Sequence, residues 1–335
     1  MIRWMKTTHF LAFDAFPERV RLDGFDEALL QSQKALLVRV AEGETAEAPY
    51  RVVATSRRGV VRKGREKAAA NRRPFVRFVP GPEEDLVLMP GGRVRFAPAR
   101  AVATVEFWRP QADIAGFVVG TLVEAALIHA LALRARAVVH AAALEIGGAS
   151  FLAVGPTRAG KSTLTAAILR AGGAVVSDDS VILGHDDSNR VVVGALRRNL
   201  WFREGTVDLV PEVLRSSLWE GVSFGERRWG LEREGSSELF RTRVRPGAVL
   251  LLRRDKRLRG IRVRQVSAAE ALAGLIRATS PLFLSGRYPV ERERLMPVLT
   301  HLVNETPCFM VQMGRTLVDD PEGTVEKLVE TMRKG

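Results

Sequence analysis

The sequence predicts a mixed α/β chain in two parts, a smaller, mainly β unit over residues 1–110 and an α/β unit with a mixed sheet over residues 111–335. Three observations carry that expectation. Short apolar runs separated by Gly and Pro fill the first part. Residues 151–171 run as apolar strand, glycine loop and helix. The pattern at 181–193 reads as a hairpin, so the second sheet cannot be purely parallel. At 335 residues the chain exceeds a typical domain of roughly 100 to 200 residues.

In the first part the apolar segments Ala35–Val40, Tyr50–Thr55, Phe75–Val79, Leu86–Met89, Val94–Phe96 and Val102–Trp108 read as strands. Pro80-Gly81-Pro82 and Pro90-Gly91-Gly92 mark turns. Arg57–Arg77 holds nine Lys or Arg and a single acid, Glu66. With few aromatics among those cations, a solvated loop is favoured over a nucleic-acid arm.

Residues 111–133 read as a helix leading into the second part. Ala137–Ile146, a Gly147-Gly148 turn and Ala149–Val154 then read as a hairpin, with His140 on its first strand. Gly155–Thr163 follow, and Leu164, Ala167, Ile168 and Ala171 recur at helical spacing until Gly172-Gly173. Ala174–Ser177 is a short strand ending at Asp178-Asp179. Gly221–Arg245 is polar, glycine-rich and crowded with charge, and reads as a mobile loop. Strands at Ala248–Leu252, Ile261–Val266 and Cys308–Gln312, and helices near Ala268–Ile276, Arg292–Val303 and Val325–Met332, complete the chain.

Gly155-Pro156-Thr157-Arg158-Ala159-Gly160-Lys161-Ser162-Thr163 matches G-x-x-x-x-G-K-[ST] without a mismatch, in the strand–loop–helix context that motif needs. Such a loop aims backbone N–H groups and the positive end of a helix dipole at phosphate. Lys161 is the residue to reach the outer phosphates, and Ser162 the one to ligate magnesium. Asp178 stands 17 residues after Lys161, so the chain returns at once to the same place. Adjacent residues of an extended strand face opposite ways, which gives Asp178 and Asp179 different jobs, in an order the sequence leaves open. Arg197, Arg198 and the arginines of 227–245 are candidates to clamp phosphate.

The formal net charge is +13, yet 43 of the 51 basic residues are arginine, as GC-rich coding would produce. The charge therefore favours acidic partners without naming one. Cys308 stands alone, so no internal disulfide forms, and His9, His129, His185 and His301 make no zinc-ligand spacing with it. Met1–Val20 lacks the apolar core of a signal peptide, and Ile114–Val139 carries Glu124, His129, Arg134 and Arg136. A cytoplasmic protein without a membrane span is the expectation.

Val139-His140-Ala141, the glycine loop with its helix, Gly172-Gly173 and Ser177-Asp178-Asp179 together resemble the HPr serine kinase/phosphorylase family. The resemblance implies a catalytic domain with a phosphoenolpyruvate carboxykinase-like fold that moves phosphate from a nucleotide to a hydroxyl. It implies a nucleotide cradle at 155–163, a proton-accepting Asp178, a metal-linked Asp179, an active-site His140 and a homo-oligomer. Two departures make this a divergent member: the family's glycine-rich signature is replaced by Gly194–Arg203, and Thr163 stands where an acid is common. HPr itself and the reverse reaction are therefore not carried over.

The leading expectation is an ATP- and Mg2+-dependent kinase whose acceptor is a serine of a peptide or protein, or a small hydroxylated metabolite, with the N-terminal unit helping to bind it. Phosphoryl transfer needs charge neutralisation and a positioned base, which lysine, magnesium and paired carboxylates provide. The alternative is a nucleotide-gated binding protein or ATPase that contacts nucleic acid or a protein partner without phosphotransfer.

Overall fold

A computed structural model describes residues 9–13, 15–23, 40–42, 50–57, 77–79, 84–89, 91–97, 101–108, 112–197, 199–223, 226–233, 237–279 and 289–334. The chain divides into two compact units, Met1–Arg134 and Ala135–Gly335.

In the first unit eight strands form one mixed sheet: β1 (His9–Phe13), β2 (Phe16–Asp23), β3 (Val40–Glu42), β4 (Tyr50–Arg57), β5 (Arg77–Val79), β6 (Asp85–Met89), β7 (Gly92–Ala97) and β8 (Val102–Trp108). Their order is β3-β1-β2-β4-β8-β7-β6-β5, with β4 parallel to both β2 and β8. In β7 the residues Gly92, Val94 and Phe96 are buried while Arg93 and Arg95 lie on the other face, the alternation of a half-covered strand. Both arginines reach the buried Glu106 of β8, which pairs that carboxylate rather than leaving it orphaned.

Helix α1 (Ala112–Ala132) packs on β4, β6, β7 and β8. It therefore belongs to this unit, and the division falls after Arg134 instead of at 110. The helix is apolar nearly all round, so nothing in its pattern shows which unit it covers. Its His129 is buried, stacked on Phe96 at 4.5 Å between ring centroids, with Nδ1 2.8 Å from the Tyr50 hydroxyl. Strands β1 and β2 were not expected, although the alternation Arg19-Val20-Arg21-Leu22 is a strand signal, and Val20 and Leu22 are buried. The basic segment at 58–76, with Phe75, and the expected strand residues 35–39 lie outside the described residues.

The second unit opens with β9 (Ala137–Val139), β10 (Ala141–Ile146), β11 (Ala149–Val154), α2 (Lys161–Arg170) and β12 (Ala174–Ser177). Next come β13 (Val181–His185), β14 (Val191–Ala195), β15 (Leu200–Arg203), α3 (Glu204–Val207), α4 (Glu212–Arg215), β16 (Leu218–Ser223), β17 (Glu226–Leu231) and β18 (Arg243–Val244). The chain ends with β19 (Ala248–Arg254), β20 (Ile261–Gln265), α5 (Ala268–Ala278), α6 (Pro289–Glu305), β21 (Cys308–Met313), α7 (Thr316–Asp319) and α8 (Pro321–Lys334). A six-stranded mixed sheet, β12-β10-β11-β19-β21-β20, is joined by a four-stranded sheet, β18-β14-β13-β9, and a three-stranded one, β15-β17-β16.

Residues 137–146 are not one strand. At His140 the chain changes sheets: Val139 pairs with Val181, whereas Ala141 pairs with Val154. The His140 N–H donates to Ala278 O at 2.8 Å. Both halves are buried, so the apolar run gives no periodic sign of the break. Residues 221–245 are not a loop throughout, since β17 lies between β15 and β16. Their glycines mark close ring packing instead: a Cβ on Gly230 would fall 2.5 Å from Trp219 Cε2.

Amphipathic α2 covers the sheet, burying Leu164, Ile168 and Leu169 against Leu144, Phe151, Leu250 and Phe309 in one apolar cluster. Helix α5 starts at a serine N-cap, whose Ser267 hydroxyl accepts the Glu270 N–H at 3.2 Å. No described helix is long and apolar enough to cross a membrane.

Candidate functional site

Strand β10 runs antiparallel to both of its neighbours, β11 and β12. The start of β10 and the ends of β11 and β12 therefore meet at one end of the sheet. That places His140, the loop at 155–160 and Asp178-Asp179 together, as the motif spacing predicts.

The loop is held in shape by its own backbone. Ala159 N–H donates to Pro156 O at 3.0 Å, and both Arg158 (φ 69) and Gly160 (φ 105) take left-handed conformations. A Cβ on Gly155 would lie 2.8 Å from Ala159 Cβ and 2.9 Å from Leu252 O, so the first motif glycine is required by close approach. Gly160 caps α2 without a side chain, and no acidic residue occupies the first turn. The N–H groups of that turn are thus left for an external anion, which the helix dipole also favours.

Lys161 is only 6% exposed. Its ammonium donates to Gly155 O at 2.7 Å and reaches Pro156 O at 3.4 Å, bonds that a phosphate oxygen would have to replace. Burial lowers its pKa to about 8, with Asp179 and Asp178 acting in the opposite direction. The Ser162 hydroxyl lies 3.4 Å from Asp178 Oδ2, and it is Asp178 rather than Asp179 that adjoins the loop serine.

The two aspartates differ in the way their neighbours dictate. Asp178 is 2% exposed, its Oδ2 is 3.4 Å from the Trp201 N–H, and its Oδ1 has no hydrogen-bond partner. Burial raises its pKa to about 7, the charge of Asp179 adds to the rise, and the Trp201 amide and Arg197 oppose it. At Asp179 burial also pushes upward, but Arg197, the hydrogen-bonded His140 and Lys161 outweigh it and hold the carboxyl well below its ordinary range. Arg197 Nη1 is 2.8 Å from Asp179 Oδ2, and His140 Nδ1 is 3.1 Å from Oδ1.

His140 Nδ1 also lies 2.8 Å from the Asp179 carbonyl oxygen. With oxygen acceptors on that side, the proton of a neutral ring sits on Nδ1 and leaves Nε2 as the acceptor. Among the described residues no group of three or more His, Cys, Asp or Glu forms a metal cluster. A serine hydroxyl beside the Asp178 carboxylate offers oxygen donors of the kind that suit Mg2+, which takes its other ligands from water and phosphate.

Of the arginines that were candidates to clamp phosphate, Arg197 pairs with Asp179, and Arg198 lies outside the described residues. Arg227 pairs with Glu220, Arg241 pairs with Glu145, and Arg233 donates to Arg241 O. The Trp201 amide at Asp178 was missed, and a backbone donor leaves no signal in side-chain spacing. The pairing of Arg197 with an aspartate 18 positions back is likewise a product of the β13–β14 hairpin register, in which Ala195 lies opposite Val181.

No protein-family model matches this chain, and no curated protein matches it. Among solved structures, the Hpr(Ser) kinase/phosphatase from Coxiella burnetii is similar over 59% of this chain and 93% of that one, at 12% identity and a TM-score of 0.30.

Proposed function

We propose that residues 135–335 form a P-loop phosphotransferase that moves the γ-phosphate of ATP to a hydroxyl. The leading acceptor is a serine of a peptide or protein, with a small hydroxylated metabolite as the other choice. One observation carries the reading: a buried carboxylate, Asp178, with an oxygen unpartnered among the described residues, stands 3.4 Å from the Ser162 hydroxyl in the first turn of a helix that has no side-chain cap.

In this reading the first-turn amides of α2 and Lys161 bind the phosphates and stabilise charge as it develops. The acceptor oxygen forms a bond to the γ-phosphorus, the bond from that phosphorus to the bridging oxygen breaks, and ADP leaves. The acceptor proton goes to Asp178, whose pKa near neutrality suits a general base. Asp179 is kept ionised by Arg197 and His140, and Ser162 with the carboxylate pair it adjoins through Asp178 are the residues that would hold Mg2+. The metal would supply neutralisation of phosphate charge.

The test is incubation of the full chain with γ-labelled ATP and either host extract or serine-containing peptides, with mass spectrometry of what becomes labelled. Label on a hydroxyl of an acceptor supports the reading. Saturable nucleotide binding with label released only as free phosphate, or retained in ATP, favours the ATPase or nucleotide-gated binder instead.

A further inference from the structure

Beyond the phosphate loop, the six-stranded sheet ends in a feature that the proposed chemistry does not use. Strand β20 is its edge, paired among the described residues with β21 alone. Val266 N–H donates to Cys308 O at 2.9 Å. By the two-residue period of an antiparallel ladder, the amides of Arg262 and Arg264 then face β21, and those of Ile261, Val263 and Gln265 face outward. An outward row of backbone donors and acceptors is a template for one more strand.

The loop from β19 into that edge is basic. Arg254, Lys256, Arg257, Arg259, Arg262 and Arg315 are exposed, and no carboxylate pairs with any of them among the described residues. On the strand itself Arg264 is different, its guanidinium lying 2.8 Å from Glu270 Oε1. The loop is not slack either: Gly314 N–H donates to Gly260 O at 3.0 Å, Thr316 N–H to Arg259 O at 2.8 Å and Asp255 N–H to Met313 O at 3.0 Å. The same Met313 borders Gly160 of the phosphate loop, so the cations sit at the site end of the sheet.

We infer that β20 and this cationic loop bind an extended acidic stretch of polypeptide, which adds as a strand to the edge of the sheet. The inference deepens the phosphoacceptor reading and rests on it for what happens to the bound chain. A strand added beyond β20 lies four strand spacings from β11, about 19 Å, so roughly six extended residues would carry a chain docked here to the phosphate loop. An acidic polypeptide is favoured over a nucleic acid because Arg253–Gln265 contains no aromatic residue on which a base could stack, whereas the open edge presents main-chain partners.

Fluorescence anisotropy of a short labelled peptide alternating Glu and Thr, with the full chain and no nucleotide present, tests this independently of phosphotransfer. The expected result is saturable binding that weakens with salt and is absent for a peptide alternating Lys and Thr. R262E should lose about tenfold or more in affinity by placing like charges together. V263P, which removes one outward N–H and leaves the β21 ladder intact, should lose about tenfold as well, with nucleotide binding unchanged in both variants. Equal binding of the two peptides, full affinity in V263P, or tighter binding of single-stranded DNA than of the acidic peptide would overturn the inference. In those cases Arg262 serves only to keep an open edge from aggregating.

Discussion

Asp178 and Asp179 are neighbours in the chain with opposite protonation tendencies, and the difference is made by what touches each. Asp178 is buried with the Ser162 hydroxyl and the Trp201 amide near Oδ2, while Asp179 faces Arg197 and His140. Gly160 is the other residue on which the loop depends. Gly160→Ala puts a side chain at φ 105 and toward Met313, and should cost about 1 to 3 kcal/mol in thermal unfolding while weakening nucleotide binding. Lys161→Ala should raise the nucleotide Kd by about tenfold or more, read by calorimetry, since a charge-assisted bond to phosphate is lost. In the first unit, burial lowers the pKa of His129 to about 4 from an ordinary 6.5. The folded state thus keeps this ring neutral, and its stability is full above about pH 6.5 and falls as pH drops toward 4, by about 3 kcal/mol in all. His129→Gln should flatten that part of the pH dependence of the urea midpoint; an unchanged slope would show that other groups carry it. That the loop at 155–163 and both aspartates lie together was legible from the strand–loop–helix–strand spacing. The partners Arg197 and Trp201 were not, because tertiary register brings them in.

At the scale of elements, strands were legible where burial alternates and helices where apolar residues recur on one face. The failures came where those signals are absent or carry a second meaning. Residues 137–146 are buried on both sides of His140, so a change of sheet inside the run shows no break in pattern. In β16 and β17, Gly221 and Gly230 looked like loop punctuation, yet they are the positions over which Trp201 and Trp219 pack, with ring centroids 4.7 Å apart. Gly230→Ala should therefore displace the Trp219 ring, cost about 1 to 3 kcal/mol, and shift tryptophan emission. A melting temperature and emission spectrum equal to those of the parent would show that the ring has room to spare.

At the scale of the whole molecule, a division in two at residue 110 was expected, and the compact units divide after Arg134, a point that α1, apolar on nearly every side, does not mark in the sequence. Among the described residues, the apolar cluster beneath the phosphate loop draws on the second unit alone. Residues 135–335 expressed alone should accordingly unfold cooperatively and keep their affinity for nucleotide. A non-cooperative melt would show that the first unit is needed for folding. The central claim, phosphotransfer with Asp178 as base, is tested most directly by labelled-phosphate transfer in Asp178→Asn beside a measurement of nucleotide affinity. The account predicts that transfer falls by about 100-fold or more while nucleotide affinity stays within a few-fold of the parent. Transfer at the parent rate in this variant would contradict it.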